Sequence, residues 1–317
     1  MAAADGMAPD GIAPDHRREP NHGLRIFLIW LPVALVADLL IWFVWGPHLP
    51  PGAMSNSAAS QQSDITVMAV MAAPVMALVL IYGVYALIVW RYREGDEEDG
   101  PPIHGNTRIS VAWIGVTSAI VLSLAVFGTV ELVGPAGAGA GEGNTPIWTP
   151  SGGTPLQVQV IGQQWRFTYR YPQFGGFETT SLMLPVGQNV QFNVTSLDVI
   201  HSFWAYQLGV KADANPGVNN VAYTKPEHTG NVQVRCAELC GLWHADMTTA
   251  GQVVSVSAFN AWAASTKTQL AALTKNLPPY SLTYDPNSVS QPGKAFHQAG
   301  LSGAGGGYYG SQYPVQP

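Results

Sequence analysis

Two cysteines, a histidine and a methionine lie close together in the second half of the sequence. They occur in the stretch VRCAELCGLWHADM, residues 234–247, and the chain has no other cysteine. Thiolate, imidazole and thioether together favour copper over hard cations, and a Cys-x-x-x-Cys pair inside such a cluster is more economically a metal site than a disulfide. The spacing therefore predicts a copper site formed by Cys236, Cys240, His244 and Met247.

The number of thiolates bears on the number of metal ions. A single blue-copper centre uses one thiolate, two histidines and a weak axial methionine, so a second thiolate allows a second metal if the sulfurs bridge. A second histidine would then come from elsewhere in the chain. His201, in SLDVIHSFWA at the end of the predicted strand NVQFNVTS, is the candidate, because a barrel would bring that strand end beside the later loop.

Composition indicates a membrane protein with an attached soluble domain. The 317 residues are 47% apolar and only 11% charged, with positive mean hydropathy, whereas charged residues make up about a quarter of a typical soluble protein. The net charge of −6 and the lack of a basic cluster argue against nucleic acid as a partner.

Three apolar runs are long enough to cross a bilayer, which takes about 20 residues. They are residues 24–45, 65–90 and 109–132, and together they predict a transmembrane helical region over 24–133. The first run could instead be the core of a cleaved signal, but such cores span about 7–15 residues. A retained helix is therefore the favoured interpretation.

The arginines predict the orientation of these helices, since Lys and Arg near helix ends stay in the cytoplasm. Residues 46–64 contain neither, whereas arginines flank the other ends, at Arg17, Arg18, Arg25, Arg91, Arg93 and Arg108. This pattern predicts a cytoplasmic tail over 1–23 and an outer location for the chain after about residue 134.

The rest of the chain changes character after a Gly/Ala-rich linker, residues 134–152. Short alternating runs separated by Gly, Pro and Asn, such as LQVQVIG, WRFTYRY, NVQVRC and GQVVSV, predict a β-sandwich or barrel. This domain is expected over 153–277, closed by a helix near Phe259 to Lys275. The tail, 278–317, is of low complexity.

The copper ligands carry a family resemblance. His201 followed by Cys236-x-Glu238-x-Cys240-x-x-x-His244-x-x-Met247 resembles the binuclear copper-A signature of subunit II of haem–copper cytochrome c oxidases. The resemblance covers residues 60–275 and includes QQWRFTYRY, DVIHSF and VKADANPG. It implies N-terminal transmembrane helices followed by an all-β cupredoxin-like Greek-key barrel, which in a prokaryote would lie on the periplasmic face of the plasma membrane.

The resemblance also implies roles for individual residues. Cys236 and Cys240 would bridge two coppers, and four further groups would complete the coordination: His201, His244, Met247 and the backbone carbonyl of Glu238. The Glu238 carboxylate would bind a magnesium ion shared with subunit I, which suits a hard cation.

Two tryptophans near this site receive different interpretations. Trp165, in GQQWRF, matches the family's tryptophan through which electrons enter from cytochrome c. The plain alternative is a strand tryptophan that covers the core. Trp243, between two of the ligands, is expected to shield the copper loop from water.

The implied function is that of the subunit at which electrons enter an aerobic, proton-translocating cytochrome c oxidase. Its partners would be subunit I and other oxidase subunits, membrane lipid, and cytochrome c or a cytochrome c domain as donor. The alternatives are the copper-A subunit of a related enzyme such as a nitric oxide reductase, and a copper-delivery module. A quinol oxidase subunit is disfavoured because those lose the copper ligands, and without a Cys-x-x-Cys-His motif the sequence predicts no covalent haem c.

Two positions depart from the family pattern. In NTRISVAW, Ser110 stands where the family has a glutamate that feeds a proton channel of subunit I, and Val218 stands where the family has an arginine. Residues 134–317 also contain eight acidic and eight basic residues. We therefore expect a displaced proton route and only modest long-range steering of a charged donor.

Overall fold

The computed structural model describes residues 20–91, 105–141, 143 and 145–277. Most of the predicted tail 1–23 and all of 278–317 lie outside these residues. Five helices are described: α1 (His22–Leu40), α2 (Asn56–Val89), α3 (Thr107–Leu132), α4 (Val256–Gln269) and α5 (Ala271–Thr274). The described strands are β1 (Leu156–Gln163), β2 (Arg166–Arg170), β3 (Glu178–Thr179), β4 (Leu182–Pro185), β5 (Val190–Ser196), β6 (His201–Ala205), β7 (Val210–Ala214), β8 (Asn220–Thr224), β9 (Gly230–Cys236) and β10 (Thr248–Val254).

Helices α1, α2 and α3 are long and apolar enough to cross a membrane. α1 begins where the Asn21 side chain accepts a hydrogen bond from the Leu24 N–H, and it runs on through a π-helical turn, Ile41–Trp45. The apolar side chains of the three helices are largely exposed, as expected for surfaces that meet lipid. The predicted order of apolar helices followed by an all-β domain is confirmed.

Contacts divide the described chain into two compact units. Residues 20–41 and 69–91 form the first, and 42–68 and 105–277 form the second. In the first unit, the Trp30 indole N–H donates to the Pro74 carbonyl at 2.7 Å. Since proline has no N–H, it interrupts the helical hydrogen bonds, and side-chain donors of this kind help to satisfy the backbone there.

The second helix begins at Asn56, earlier than the residue 65 that hydropathy predicts. Its first two turns are polar, and their side chains bond to the β-domain instead of meeting lipid. Ser57 Oγ donates to the Leu208 carbonyl at 3.0 Å, and the Asn56 side chain accepts the Lys225 N–H at 2.9 Å. A hydropathy pattern detects only the apolar part of a helix, and therefore the start was predicted too late.

The β-domain consists of two five-stranded sheets that enclose one core. Their strand orders are β3-β2-β1-β5-β8 and β4-β10-β9-β6-β7. Buried aromatic residues, including Phe167, Tyr169, Phe192 and Phe203, fill the space between the sheets. The sandwich thereby fixes the loops at its ends, where the candidate ligands lie.

The strand that carries His201 differs from the prediction. β5 ends at Ser196, and His201 begins the new strand β6 in the other sheet. Between them residues 197–199 form a bend, in which the Asp198 carboxylate accepts the Val199 N–H at 2.7 Å. Turn chemistry of this kind interrupts what reads in the sequence as one extended stretch.

Candidate metal centre

The candidate ligands come from two neighbouring strands and the loop that follows one of them. β6 pairs with β9, with Phe203 opposite Cys236. Cys236 ends β9, and the loop after it runs to Met247, immediately before β10. Because β6 and β9 are antiparallel neighbours, the start of β6 lies beside the end of β9. His201 is therefore brought to the base of the cysteine loop.

The two cysteine sulfurs form the middle of the site. Both cysteines are free thiols, with Sγ atoms 3.7 Å apart, and they are 9% and 4% exposed. His201 Nδ1 lies 3.9 Å from Cys236 Sγ, and His244 Nδ1 lies 3.6 Å from Cys240 Sγ. Each sulfur thus has one imidazole nitrogen beside it.

Two weaker donors lie beside the sulfur pair, one near each sulfur. Met247 Sδ is 3.8 Å from Cys240 Sγ, and the Glu238 carbonyl oxygen is 3.2 Å from Cys236 Sγ. Met247 is 1% exposed, whereas the Glu238 side chain points to the surface. The six groups that the sequence singled out therefore lie together, with ligand atoms of His201, Cys236 and Cys240 all within 4.8 Å of one another.

The His201 ring is held in one orientation. Its Nε2 lies 2.8 Å from Asp198 Oδ1, so Nδ1 is the nitrogen left for the cysteine side. A carboxylate on the far nitrogen is the usual partner of a metal-binding histidine. On the other side, a Cβ at Gly162 would lie 3.0 Å from His201 Cδ2, so the glycine allows the ring to pack closely against this strand.

The thiols differ in their acidity. Burial disfavours the Cys236 thiolate, but hydrogen bonding from His201 and backbone groups outweighs burial and lowers the pKa of Cys236 to about 6. Burial and the nearby Cys236 charge raise the pKa of Cys240 to about 12. Because the protein alone stabilises only one thiolate at neutral pH, two thiolates require added positive charge. Two soft sulfurs, two imidazoles and a thioether fit copper in that role.

Trp165 lies against the same loop. It is in the turn between β1 and β2, partly buried, and its indole N–H donates to the Cys240 carbonyl at 3.2 Å. It also packs against the edge of the core. Because Trp165 contacts both the core and the candidate site, electron entry and core packing both stay open as its role.

The shielding role expected for Trp243 stays a prediction, because this side chain is not buried in the described chain. Trp243 is 52% exposed, and its loop neighbours Leu239 and Leu242 are 78% and 83% exposed. Burial of the sulfurs comes instead from the sandwich core, because Cys236, Cys240 and Met247 belong to the same buried cluster as Phe203. The loop side chains that point outward leave an apolar surface around the site.

Two residues at the site were not predicted from the sequence. Asp198 bonds His201, and Gln164 donates its side-chain N–H to the Cys240 carbonyl at 2.8 Å. Asp198 had a detectable signal, because a carboxylate three residues before a candidate histidine ligand can reach its ring. Gln164 had none, since its partner lies 76 residues away in sequence.

Known proteins resemble the chain both in this domain and over most of its length. Residues 178–254 match the family model described as cytochrome C oxidase subunit II, periplasmic domain. Cytochrome c oxidase subunit 2 of Synechocystis sp. is 28% identical over 301 residues, covering 84% of this chain and 90% of the relative. Quinol oxidase subunit 2 of Bacillus spizizenii is 26% identical over 256 residues, covering 79% and 77%.

A solved structure also matches the β-domain. The periplasmic domain of cytochrome oxidase subunit II (CoxB) of Bradyrhizobium japonicum is 34% identical, covers 36% of this chain and 94% of its own, and has a TM-score of 0.35. The family-model match contains His201, both cysteines and the rest of the candidate ligand set, and ends after Met247. The chain is therefore similar to cytochrome c oxidase subunit 2 over most of its length, and residues 178–254 match the model of that family's periplasmic domain.

Proposed function

We propose that this chain is the subunit at which electrons enter an aerobic respiratory cytochrome c oxidase, from cytochrome c by way of a binuclear copper-A centre toward the haem of subunit I. The observation that carries the proposal is the pair of free thiols 3.7 Å apart, each with an imidazole Nδ1 within 4 Å. A single-copper site needs only one such sulfur. The second sulfur therefore favours a bridged pair of metals.

The ligands divide naturally between the two ends of the sulfur pair. His201 and the Glu238 carbonyl lie nearer Cys236, and His244 and Met247 lie nearer Cys240. A copper pair held by these residues would supply a one-electron redox couple. Because the sulfurs and Met247 are part of the packed core, the protein holds these donors in place and keeps water away from them.

Trp165 is proposed as the residue through which electrons reach this site. Its indole is partly exposed at the surface and is hydrogen-bonded to the backbone of Cys240. An electron-donor protein that contacts the Trp165 ring would therefore be one hydrogen bond away from Cys240, a proposed copper ligand. The alternative, core packing alone, predicts no kinetic effect of removing the indole N–H.

Glu238 links the site to the proposed partner. Its carbonyl faces Cys236, while its side chain is exposed on the loop. An exposed carboxylate is free to serve as one oxygen ligand of a magnesium ion completed by subunit I. The exposed apolar loop side chains are consistent with burial against another subunit, and three apolar helices and the arginine pattern support an outer location for the domain.

The similarity to known proteins does not by itself identify the electron donor or the electron acceptor, since a quinol oxidase subunit is among the relatives. Retention of all six candidate copper ligands favours cytochrome c over quinol. The copper-A subunit of a nitric oxide reductase remains the alternative, and the metal content of the co-purifying catalytic chain distinguishes the two.

The test is copper loading of the full-length chain in detergent. We expect two coppers per chain, a purple colour and a mixed-valence electron paramagnetic resonance (EPR) signal. One copper per chain, or the spectrum of a blue single-copper site, would contradict the binuclear centre. In the assembled complex, rapid reduction of the copper by reduced cytochrome c, and not by a quinol, is the expected result.

A further inference from the structure

One exposed glutamine is hydrogen-bonded to both parts of the candidate site, the Asp198–His201 pair and the cysteine loop. Gln164 lies in the turn between β1 and β2, and its backbone N–H donates to Asp198 Oδ2 at 2.7 Å. Its side-chain Nε2 donates to the Cys240 carbonyl at 2.8 Å. The other oxygen of Asp198 lies 2.8 Å from the His201 ring. Gln164 therefore connects the Asp198–His201 pair to the cysteine loop.

The cysteine loop is shaped to receive this contact. A Cβ at Gly241 would lie 3.1 Å from Gln164 Nε2 and 3.2 Å from Trp165 Cζ2. Gly241 also has φ +121°, which side chains rarely adopt. A larger residue would therefore be strained and would require Gln164 and Trp165 to shift, whereas glycine permits their close approach.

We propose that Gln164 is a positioning residue of the metal centre. It holds the Cys240 peptide at a fixed distance from the Asp198–His201 pair, so the ligands from β6 and from the loop are arranged before metal binds. The inference rests on the proposed function only for the identity of the metal. The hydrogen bonds of Gln164 themselves are present in the metal-free protein.

Gln164 can be separated from its neighbour Trp165. Both donate to the same carbonyl, but the glutamine bond is shorter, 2.8 Å against 3.2 Å. Gln164→Ala keeps the backbone bond to Asp198 and the indole bond, and removes only the side-chain link to Cys240. Gln164→Glu keeps the length of the side chain but replaces the donor with oxygens that repel the carbonyl.

The test uses the full-length chain in detergent, with copper affinity measured by competition with a chelator. Loss of such an outer hydrogen bond typically weakens metal binding about 10–100-fold. We expect weakening of about 10-fold for Gln164→Ala, more for Gln164→Glu, and altered copper hyperfine couplings in both. The matched control is Gln252→Ala, an exposed strand glutamine with one side-chain hydrogen bond to Asn231, which should match the parent protein.

A second readout needs no metal. Amide hydrogen exchange of residues 239–243 in the metal-free chain should be faster in both Gln164 variants, while β9 and β10 exchange as in the parent. Unchanged loop exchange in both variants would overturn the positioning role, as would unchanged affinity and spectrum in a chain that binds copper. If the parent chain binds a single copper, the proposed function fails, and loop exchange still decides the role of Gln164.

Discussion

The two cysteines show how identical residues acquire different properties. Cys236 ends a strand, where hydrogen bonds lower its pKa to about 6, while the pKa of Cys240 is raised to about 12 by burial and by its neighbour. Positive charge between them would make both sulfurs thiolates. Their roles as ligands should therefore be equally indispensable despite the asymmetry of the metal-free protein.

Replacing either cysteine by serine, Cys236→Ser or Cys240→Ser, should abolish the binuclear centre. A hydroxyl is a poor ligand for soft copper, and one remaining thiolate cannot bridge as a pair. Copper stoichiometry and the EPR spectrum of each full-length variant measure this. Two coppers with a mixed-valence signal in either variant would show that bridging by both sulfurs is not required.

Met247 is expected to tune the site without being needed to hold it. Its sulfur lies 3.8 Å from Cys240 Sγ, and a thioether is a weak axial ligand. Met247→Leu has similar volume and should keep both coppers while changing the reduction potential. Potentiometric titration with metal analysis checks this, and complete loss of copper would refute the axial role.

The proposed role of Trp165 depends on a single group, its indole N–H. Trp165→Phe keeps an aromatic ring but loses the hydrogen bond to Cys240. We expect an unchanged copper spectrum and electron transfer from cytochrome c slower by about 10-fold, a barrier increase of roughly 1.4 kcal/mol. Stopped-flow kinetics of the assembled complex measure the rate, and an unchanged rate would leave Trp165 as core packing.

At the scale of elements, the N-terminal end of α2 is packed into the β-domain. Gly209, just before β7, has φ +60°, and a Cβ there would lie 2.8 Å from the Ala58 backbone. Gln61 adds a hydrogen bond to the Gly209 carbonyl at 2.6 Å. The helix start and the sandwich thus share a contact too close for any side chain.

Gly209→Ala should therefore destabilise the domain by roughly 1–3 kcal/mol, because backbone strain and a steric clash add. The matched control is Gly187→Ala, at φ +79° with open space around it. This variant introduces the backbone strain without the steric clash. Thermal unfolding of the two variants should differ, with Gly209→Ala the lower in Tm. Equal Tm values would mean that the contact with Ala58 relaxes without cost.

At the scale of the whole molecule, the question is how protons reach the partner subunit. Ser110 lies exposed near the start of α3, where the family pattern has a glutamate. A serine hydroxyl does not titrate near neutral pH, so it cannot collect protons as a carboxylate does. The proton route of the assembled oxidase should therefore begin elsewhere.

Ser110→Ala should leave turnover and proton translocation of the assembled complex nearly unchanged. Oxygen consumption and proton release in reconstituted vesicles measure the two quantities. A large loss of either would mean that the route still passes through this hydroxyl, by way of hydrogen-bonded water. Thr117→Ala, another exposed hydroxyl on the same helix, is the matched control.

The sequence by itself determined the chemical type of the site and the class of the chain. Ligand softness is a property of residue types, and the spacing from Cys236 to Met247 is short enough for one loop to gather them. Apolar length likewise identifies a membrane-compatible helix without knowledge of its surroundings. A His/Cys metal site of soft ligands, three apolar helices and an all-β domain could therefore be predicted from local patterns.

Only the tertiary structure decided how the site is held. The bond from Gln164 to Cys240 joins residues far apart in sequence, and the strand that begins at His201 depends on pairing with β9. The exposure of Trp243 and the early start of α2 at Asn56 depend in the same way on which surfaces the sandwich covers. Such features arise from contacts between distant segments, and no local pattern encodes which segments will meet.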